Sequence, residues 1–244
     1  PVLPMTRSRR RARGADLSDR VSTFCARSLC GKSSTTGWWR FRATMMLQHC
    51  DGATFCLRKP TRELIPAYRE ALMRGWSPDE HVPDSRAGIL GLIDHSPEIF
   101  LLRQDDPKPM GGLTILPNGR LSPRLSRTMR WIWRDGFCGV VGLRWWAGHG
   151  NRLPLEVTGH LSYSVVPWRR REGAATTALR MLLPTARKIG LTAVDAVILM
   201  NNIASIRVME VAGAGLVEQV TLGPHHDNLP ALVYRLQLGH DARS

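Results

Sequence analysis

The sequence predicts a mixed α/β domain, of the α+β kind, in which hairpins and crossover helices share a central sheet. Asn118-Gly119 and Asp135-Gly136 are tight-turn pairs with apolar flanks, which indicates two antiparallel hairpins. In the second half, helical segments separate the strands, which indicates parallel neighbours as well. An apolar share of 43% allows a sizeable core, and no apolar run reaches the roughly 18 residues of a membrane span.

The first half of the domain is predicted to begin with a strand and continue mainly as helices. The strand covers Thr54 to Arg58, and Thr61 and Gly75 bracket the first helix. A second helix follows Pro83-Asp84, and Pro97 opens a third that ends near Leu102.

The second half alternates strands and helices. Its predicted elements are the hairpin Met129–Arg134 and Phe137–Trp146, the strand Val157–Val166, a helix from Gly173, the strand Ala193–Leu199, a helix Ile203–Ala212, and the strands Leu216–Thr221 and Leu232–Leu238. Pro184 lies inside the first of these helices, which predicts a kink or a helix in two parts.

Residues 1–45 differ from the rest and are predicted to be a disordered basic extension that precedes one domain at 46–244. They hold ten Lys and Arg against two Asp, within a total net charge of +14. No helical or strand period persists in them, so they cannot pack a core. Three interpretations stay open: a nucleic-acid-binding arm, a disordered tail, or sequence upstream of a native start at Met45 or Met46.

The charge and the cysteines narrow the partners and the compartment. A mildly basic body favours a phosphorylated cofactor over nucleic acid, and no membrane partner is expected. Five cysteines without a C-x-x-C pair argue against a disulfide framework and a zinc site, so we expect a cytoplasmic protein without a metal.

The chemically informative stretch joins a strand to a helix through a basic turn. Pro167 follows the strand, Arg169 to Arg171 carry three charges, and Gly173, Ala174 and Ala175 open the helix. Helix starts leave about four N–H groups unpaired, and small side chains let phosphate oxygens approach them. Neither a Walker loop nor a G-x-G-x-x-G dinucleotide motif is present. The stretch therefore predicts a site for a diphosphate.

Two motifs in order resemble the GNAT superfamily of N-acetyltransferases. Arg170-x-x-Gly173-x-Ala175 resembles the family's R/Q-x-x-G-x-G/A motif, and Asn202 to Gly213 resembles its N-x-x-A/S…E-x-x-G helix. This resemblance implies a mostly antiparallel twisted sheet, flanked by helices, with one splayed pair of parallel strands. It also implies acetyl transfer from acetyl-CoA to a primary amine by direct attack in a ternary complex.

The resemblance covers residues 55–238 and extends to one bacterial branch of predicted acetyltransferases. Gly75-Trp-Ser-Pro-Asp79, Trp131-x-Trp133, Phe137-Cys-Gly139 and Gly142-Leu-Arg-Trp145 resemble that branch. The segment from Asn202 to Ser205 is similar to the corresponding segment of the ribosomal-protein N-terminal acetyltransferases.

The resemblance also assigns the residues that would hold acetyl-CoA. Its pantetheine arm would add to the strand edge at Ser164, Val165 and Val166, and the N–H of Val166 would stabilise the oxyanion. The pyrophosphate would bind at Arg170, Arg171, Gly173, Ala174, Ala175 and Thr176. Asn202 would contact the pantetheine or orient the second strand.

Acid–base candidates follow from the need for a neutral amine and a protonated thiol. His160, at the start of the motif strand, is the first candidate base, with Glu156 weaker and a water relay the alternative. Many family members protonate the thiolate with a tyrosine where this chain has Met209, so Ser205 or water is the expected substitute. Tyr163 is interpreted as a core residue.

Two other functions stay open beside the enzyme. The missing tyrosine motivates a non-catalytic acyl-CoA-binding or regulatory module, and the basic N-terminus motivates a nucleic-acid-binding protein. The acceptor, whether a small molecule or a protein amine, does not follow from the sequence, and the oligomeric state is open, a homodimer included.

Overall fold

The computed structural model describes residues 53–79, 85–109, 112–115, 119–154, 157–223 and 227–239. The extension at 1–45, Glu156 and Asn118 lie outside the described residues. The described helices are α1 Ile65–Met73, α2 Ser85–His95, α3 Pro97–Gln104, α4 Ala174–Lys188 and α5 Ile203–Val211. The strands are β1 Cys56–Arg58, β2 Asp105–Asp106, β3 Leu113–Ile115, β4 Leu121–Pro123, β5 Ser126–Trp133, β6 Phe137–Trp145, β7 Leu161–Val165, β8 Ala193–Leu199, β9 Gly215–Thr221 and β10 Pro230–Gln237.

The described strands form two main sheets and a small hairpin. In the first sheet the order is β1-β5-β6-β7, with β2 also paired to β5. In the second the order is β8-β10-β9, and β3 pairs with β4. Every one of these ladders is antiparallel. The two hairpins and the α/β class predicted from the sequence are confirmed.

The two main sheets meet at the start of β7, which α4 connects to β8. The main-chain N–H of His160 donates to the carbonyl of Asp195 at 2.7 Å. Beyond this contact β7 and β8 belong to separate sheets. This arrangement leaves a gap between β7 and β8 that opens toward their carboxyl ends, as the resemblance implied.

Two apolar clusters build the core. One packs α4, through residues such as Leu179 and Leu182, against β6 and the second sheet. The other packs α1 and α3 against β5 and β6, with Tyr68 stacked on Trp131 at 4.8 Å between ring centroids. Trp131 and Tyr68 are at most 1% exposed. Helices therefore pack on both faces of the first sheet.

Three details differ from, or sharpen, the sequence predictions. The predicted strand Val157–Val166 is shorter, because the Arg144 side chain binds the carbonyls of Thr158 and Gly159 before β7 begins. The helix containing Pro184 is one element from Ala174 to Lys188 rather than two. Cys56 is disulfide-bonded, against the expectation from the cysteine pattern. No helix in the described ranges is long and apolar enough to cross a membrane.

Candidate active site

The edge of β7 that faces the gap is set by its pairing with β6. Val166 N–H donates to the Cys138 carbonyl at 3.0 Å, and Arg144 N–H donates to the His160 carbonyl at 2.9 Å. Along an antiparallel strand, every second residue directs its N–H and C=O toward the same neighbouring strand, and the residues between them direct theirs to the opposite side. The main-chain groups of Tyr163 and Val165 therefore face the gap. The expectation that Val166 donates to an oxyanion is corrected, since its N–H is already bonded within the sheet.

Ser164 faces the helical layer of α1 and not the gap. Its main chain lies opposite Val140 of β6. Its hydroxyl accepts the indole N–H of Trp76 at 2.9 Å and donates to the Ser77 carbonyl at 3.2 Å. Only 1% of Trp76 is exposed. This buried pair therefore ties the loop after α1 to β7. Of the residues 164–166 predicted to line the gap, only Val165 has its main chain turned toward it. Tyr163, two residues earlier on β7, also faces the gap.

The basic turn brings Arg170 back to the end of β7. Its Nε donates to the Val165 carbonyl at 3.1 Å. The next residue, Arg171, has a φ of 65°, a left-handed conformation that costs a non-glycine residue about 1–2 kcal/mol. Such an outlier points to a functional constraint on the turn. Both arginine side chains are exposed beside the helix start.

The start of α4 is open in the way a bound diphosphate requires. Gly173 is its N-cap in a left-handed conformation (φ 80°), and no side chain caps the first turn. A Cβ built on Gly173 would meet no atom within 4 Å. Glu172, the acidic residue of the turn, is paired with Arg134 and with Arg169. The N–H groups of Ala174, Ala175 and Thr176 can therefore receive anionic oxygens, with Arg170 and Arg171 as additional charges.

His160 lies at the closed end of the gap. It is 2% exposed, and its Nδ1 accepts the N–H of Asp195 at 3.1 Å. Nε2 has no hydrogen-bond partner in the described part of the chain. Burial lowers the pKa of the imidazole, which favours the neutral ring. Because Nδ1 accepts a hydrogen bond, the proton of the neutral ring lies on Nε2. With the Nδ1 lone pair already used, this geometry favours a structural role over that of a general base.

The start of α5 faces Tyr163 across the gap. Asn202 caps the helix, its Oδ1 accepting the Ser205 N–H at 3.0 Å. The Ser205 carbonyl accepts the Tyr163 hydroxyl at 3.0 Å. Met209, one turn further along α5, is fully buried. Asn202 thus orients the helix that follows β8. The phenol of Tyr163, which the sequence suggested was a core residue, is bonded to Ser205.

A family model settles the classification. The model described as an acetyltransferase (GNAT) domain matches residues 55–214. The chain belongs to the GNAT acetyltransferase family. This confirms the fold and the enzyme class expected from Arg170, Gly173 and Asn202. No curated protein matches the sequence at a significant level.

Solved structures with the same fold are similar over most of their length. RimL, the ribosomal L7/L12 α-N-protein acetyltransferase in complex with coenzyme A, is 15% identical, with 78% of this chain and 97% of that chain covered and a TM-score of 0.53. A Salmonella typhimurium acetyltransferase that modifies the N-terminal serine of 50S ribosomal subunit protein L7/L12 is 14% identical (77% and 96% covered, TM-score 0.52). The microcin C7 self-immunity acetyltransferase MccE, with acetyl-CoA and AMP, is 11% identical (76% and 93%, TM-score 0.51). At these identities the likeness shows the fold.

Sequence reasoning missed two contacts of this GNAT domain. One is the bond between Trp76 and Ser164, which joins residues 88 apart in the chain. The other is the bond between Tyr163 and Ser205. An available signal was the alternation in β7, which places Tyr163 on the opposite face from Ser164 and hence on the side of α4 and α5.

Proposed function

We propose that the protein transfers the acetyl group of acetyl-CoA to a primary amine, by direct attack in a ternary complex. The observation that carries this proposal is the uncapped start of α4, with open space at Gly173, directly after a strand edge that faces a gap. A diphosphate fits the N–H groups of Ala174 to Thr176, and an extended pantetheine arm fits the main-chain groups of Tyr163 and Val165.

Val165 is the residue that we assign to the oxyanion. Its N–H points into the gap, and it lies on the same strand edge that would hold the coenzyme arm. The Arg170 side chain donates to its carbonyl at 3.1 Å, which holds the end of β7 in place. A fixed donor stabilises a developing negative charge without the cost of reorganisation. Arg170 therefore contributes both to the charge of the turn and to the shape of the edge.

We propose that the acceptor is an α-amine, such as the N-terminus of a peptide. A free α-amine has a pKa near 8, so roughly a tenth is neutral at pH 7, whereas a lysine amine near 10.4 is almost entirely charged. His160, the expected base, is buried with its Nδ1 bonded, so the proton of the amine would leave through water. Two of the similar proteins, RimL and the Salmonella typhimurium acetyltransferase, modify the N-terminus of ribosomal protein L7/L12. An acetyl-CoA-dependent enzyme of this kind would work in the cytoplasm.

The test measures thiol release from acetyl-CoA with three acceptors. The first is a lysine-free, serine-first peptide amide with a free N-terminus. The second is that peptide with an acetylated N-terminus and one added lysine, and the third is spermidine. We expect turnover with the first only, and one added acetyl group at its N-terminus by mass spectrometry. Turnover of the blocked lysine peptide alone would overturn the α-amine assignment. Binding of coenzyme A with no turnover of any amine would support the non-catalytic acyl-CoA-binding module.

A further inference from the structure

Tyr163 connects the two sides of the gap. It lies on β7 with its side chain half-buried, and its hydroxyl donates to the Ser205 carbonyl at 3.0 Å. Ser205 is in the first turn of α5, the helix that follows β8. The Tyr163 side chain therefore links β7 to α5, the helix that follows β8.

The ring also lies beside the strand edge that would hold the coenzyme. The register with β6 turns the main chain of Tyr163 and Val165 toward the gap. The side chain of Tyr163 lies on the face of the sheet that α4 covers. There it packs at the margin of the core cluster around α4. An extended arm that follows this edge would bond to the main chain of the residue that carries the phenol.

Acetyl transfer requires a proton for the sulfur when the carbon–sulfur bond breaks. The two residues joined by this hydrogen bond, Tyr163 and Ser205, both carry a hydroxyl. A phenol with an ordinary pKa near 10 is far more acidic than an aliphatic alcohol. Burial raises the pKa of Tyr163 to about 12, which keeps the proton on the oxygen at neutral pH. The phenol is therefore protonated and still the better donor of the two.

We propose that Tyr163 is the general acid of acetyl transfer, an inference that rests on the proposed function. The amine nitrogen bonds to the acetyl carbon, the carbon–sulfur bond breaks, and Tyr163 Oη gives its proton to the sulfur. The amine loses one proton to water, and water returns one to Oη, so a neutral amide and a free thiol result. To make this transfer the hydroxyl leaves its hydrogen bond to the Ser205 carbonyl.

The experiment compares three single substitutions with the serine-first peptide as acceptor. Tyr163→Phe removes one oxygen from the phenol, Ser205→Ala removes the competing hydroxyl, and Tyr234→Phe on β10 is the control for losing a phenol elsewhere. We expect Tyr163→Phe to lower kcat by at least about 100-fold, a common size for the loss of a general acid. Its affinity for coenzyme A by calorimetry and its urea midpoint should stay close to those of the wild type. Tyr234→Phe should keep kcat within about threefold, and Ser205→Ala should lower kcat much less than Tyr163→Phe does.

Three results would overturn the assignment. The first is a Tyr163→Phe variant with near-normal kcat while the wild-type protein turns over. The second is a collapse of kcat in Ser205→Ala alone, which would make the serine the acid. The third is a joint loss of kcat and coenzyme affinity in Tyr163→Phe, which would indicate a structural role. If the wild-type protein releases no thiol with any amine, the proposed function fails first, and the role of Tyr163 with it.

Discussion

His160 and Asp195 are bonded to each other twice. The His160 N–H donates to the Asp195 carbonyl at 2.7 Å, and the Asp195 N–H donates to His160 Nδ1 at 3.1 Å. One bond uses the main chain and the other uses the ring, so the pair forms a closed contact between two strands. This contact fixes the point from which β7 and β8 diverge, and it therefore defines the closed end of the coenzyme gap.

Removing the His160 ring should destabilise the domain. His160→Ala leaves the Asp195 N–H buried without an acceptor, which costs about 1–3 kcal/mol of unfolding free energy. His160→Asn places an amide oxygen near the former Nδ1 and should recover a large part of that loss. Urea unfolding measures both variants against the wild type. Equal stability of the alanine and asparagine variants would show that the second bond contributes nothing.

His160 should also make stability depend on pH. Burial lowers its pKa in the folded protein below the ordinary value of 6.5, so the unfolded chain binds more protons just below pH 6.5. Stability therefore falls as the pH drops from 6.5 toward the lowered native pKa, and it is insensitive to this group above that window. Urea unfolding between pH 7.5 and pH 5 should show a steeper slope for the wild type than for His160→Asn. Parallel slopes would contradict a neutral buried imidazole.

A methyl group at Gly139 should displace β7. A Cβ at this position would lie 2.2 Å from the Ser164 carbonyl oxygen and 2.8 Å from the Val165 Cα. Gly136 has a similar φ, 135° against 146°, but a Cβ there meets no atom within 4 Å. Gly136→Ala therefore has the conformational cost without the clash. We expect Gly139→Ala to be less stable than Gly136→Ala by about 1–3 kcal/mol in urea unfolding, and to bind coenzyme A more weakly.

Gly173 should tolerate a neutral side chain better than an acidic one. Its left-handed φ of 80° strains most residues but suits asparagine. Gly173→Glu would place a carboxylate where we expect the diphosphate, whereas Gly173→Asn adds bulk without charge. Calorimetry with coenzyme A should show at least about tenfold weaker binding for the glutamate variant than for the asparagine variant. Near-normal affinity of the glutamate variant would place the diphosphate elsewhere.

Much of the fold followed from local patterns. The strand Ala193–Leu199 has the predicted bounds, and the helix after Gly173 and the hairpin at Asp135-Gly136 formed as expected. These elements depend on neighbouring residues, through alternation, helix capping and turn chemistry. The strand Val157–Val166 was too long because its first residues bind a side chain from β6, a contact that no local pattern contains.

The site shows the same division. The basic turn and Gly173 were predicted because an anion site at a helix start depends on contiguous residues. The predicted oxyanion donor, Val166, faces β6 and not the gap, because alternation gives the period of a strand and not which neighbour its N–H groups bond. That choice depends on the Cys138 carbonyl of β6, which accepts the Val166 N–H.

The sequence by itself determined the family, the order of the elements and the loop from Arg170 to Thr176, because each of these depends on short stretches of chain. Only the tertiary structure decided that Val165 faces the gap, that His160 pairs with Asp195, and that the Tyr163 hydroxyl reaches Ser205. Those outcomes depend on strand register and on contacts between residues up to 42 positions apart. Such contacts are set by packing the whole core at once, and no local rule specifies them.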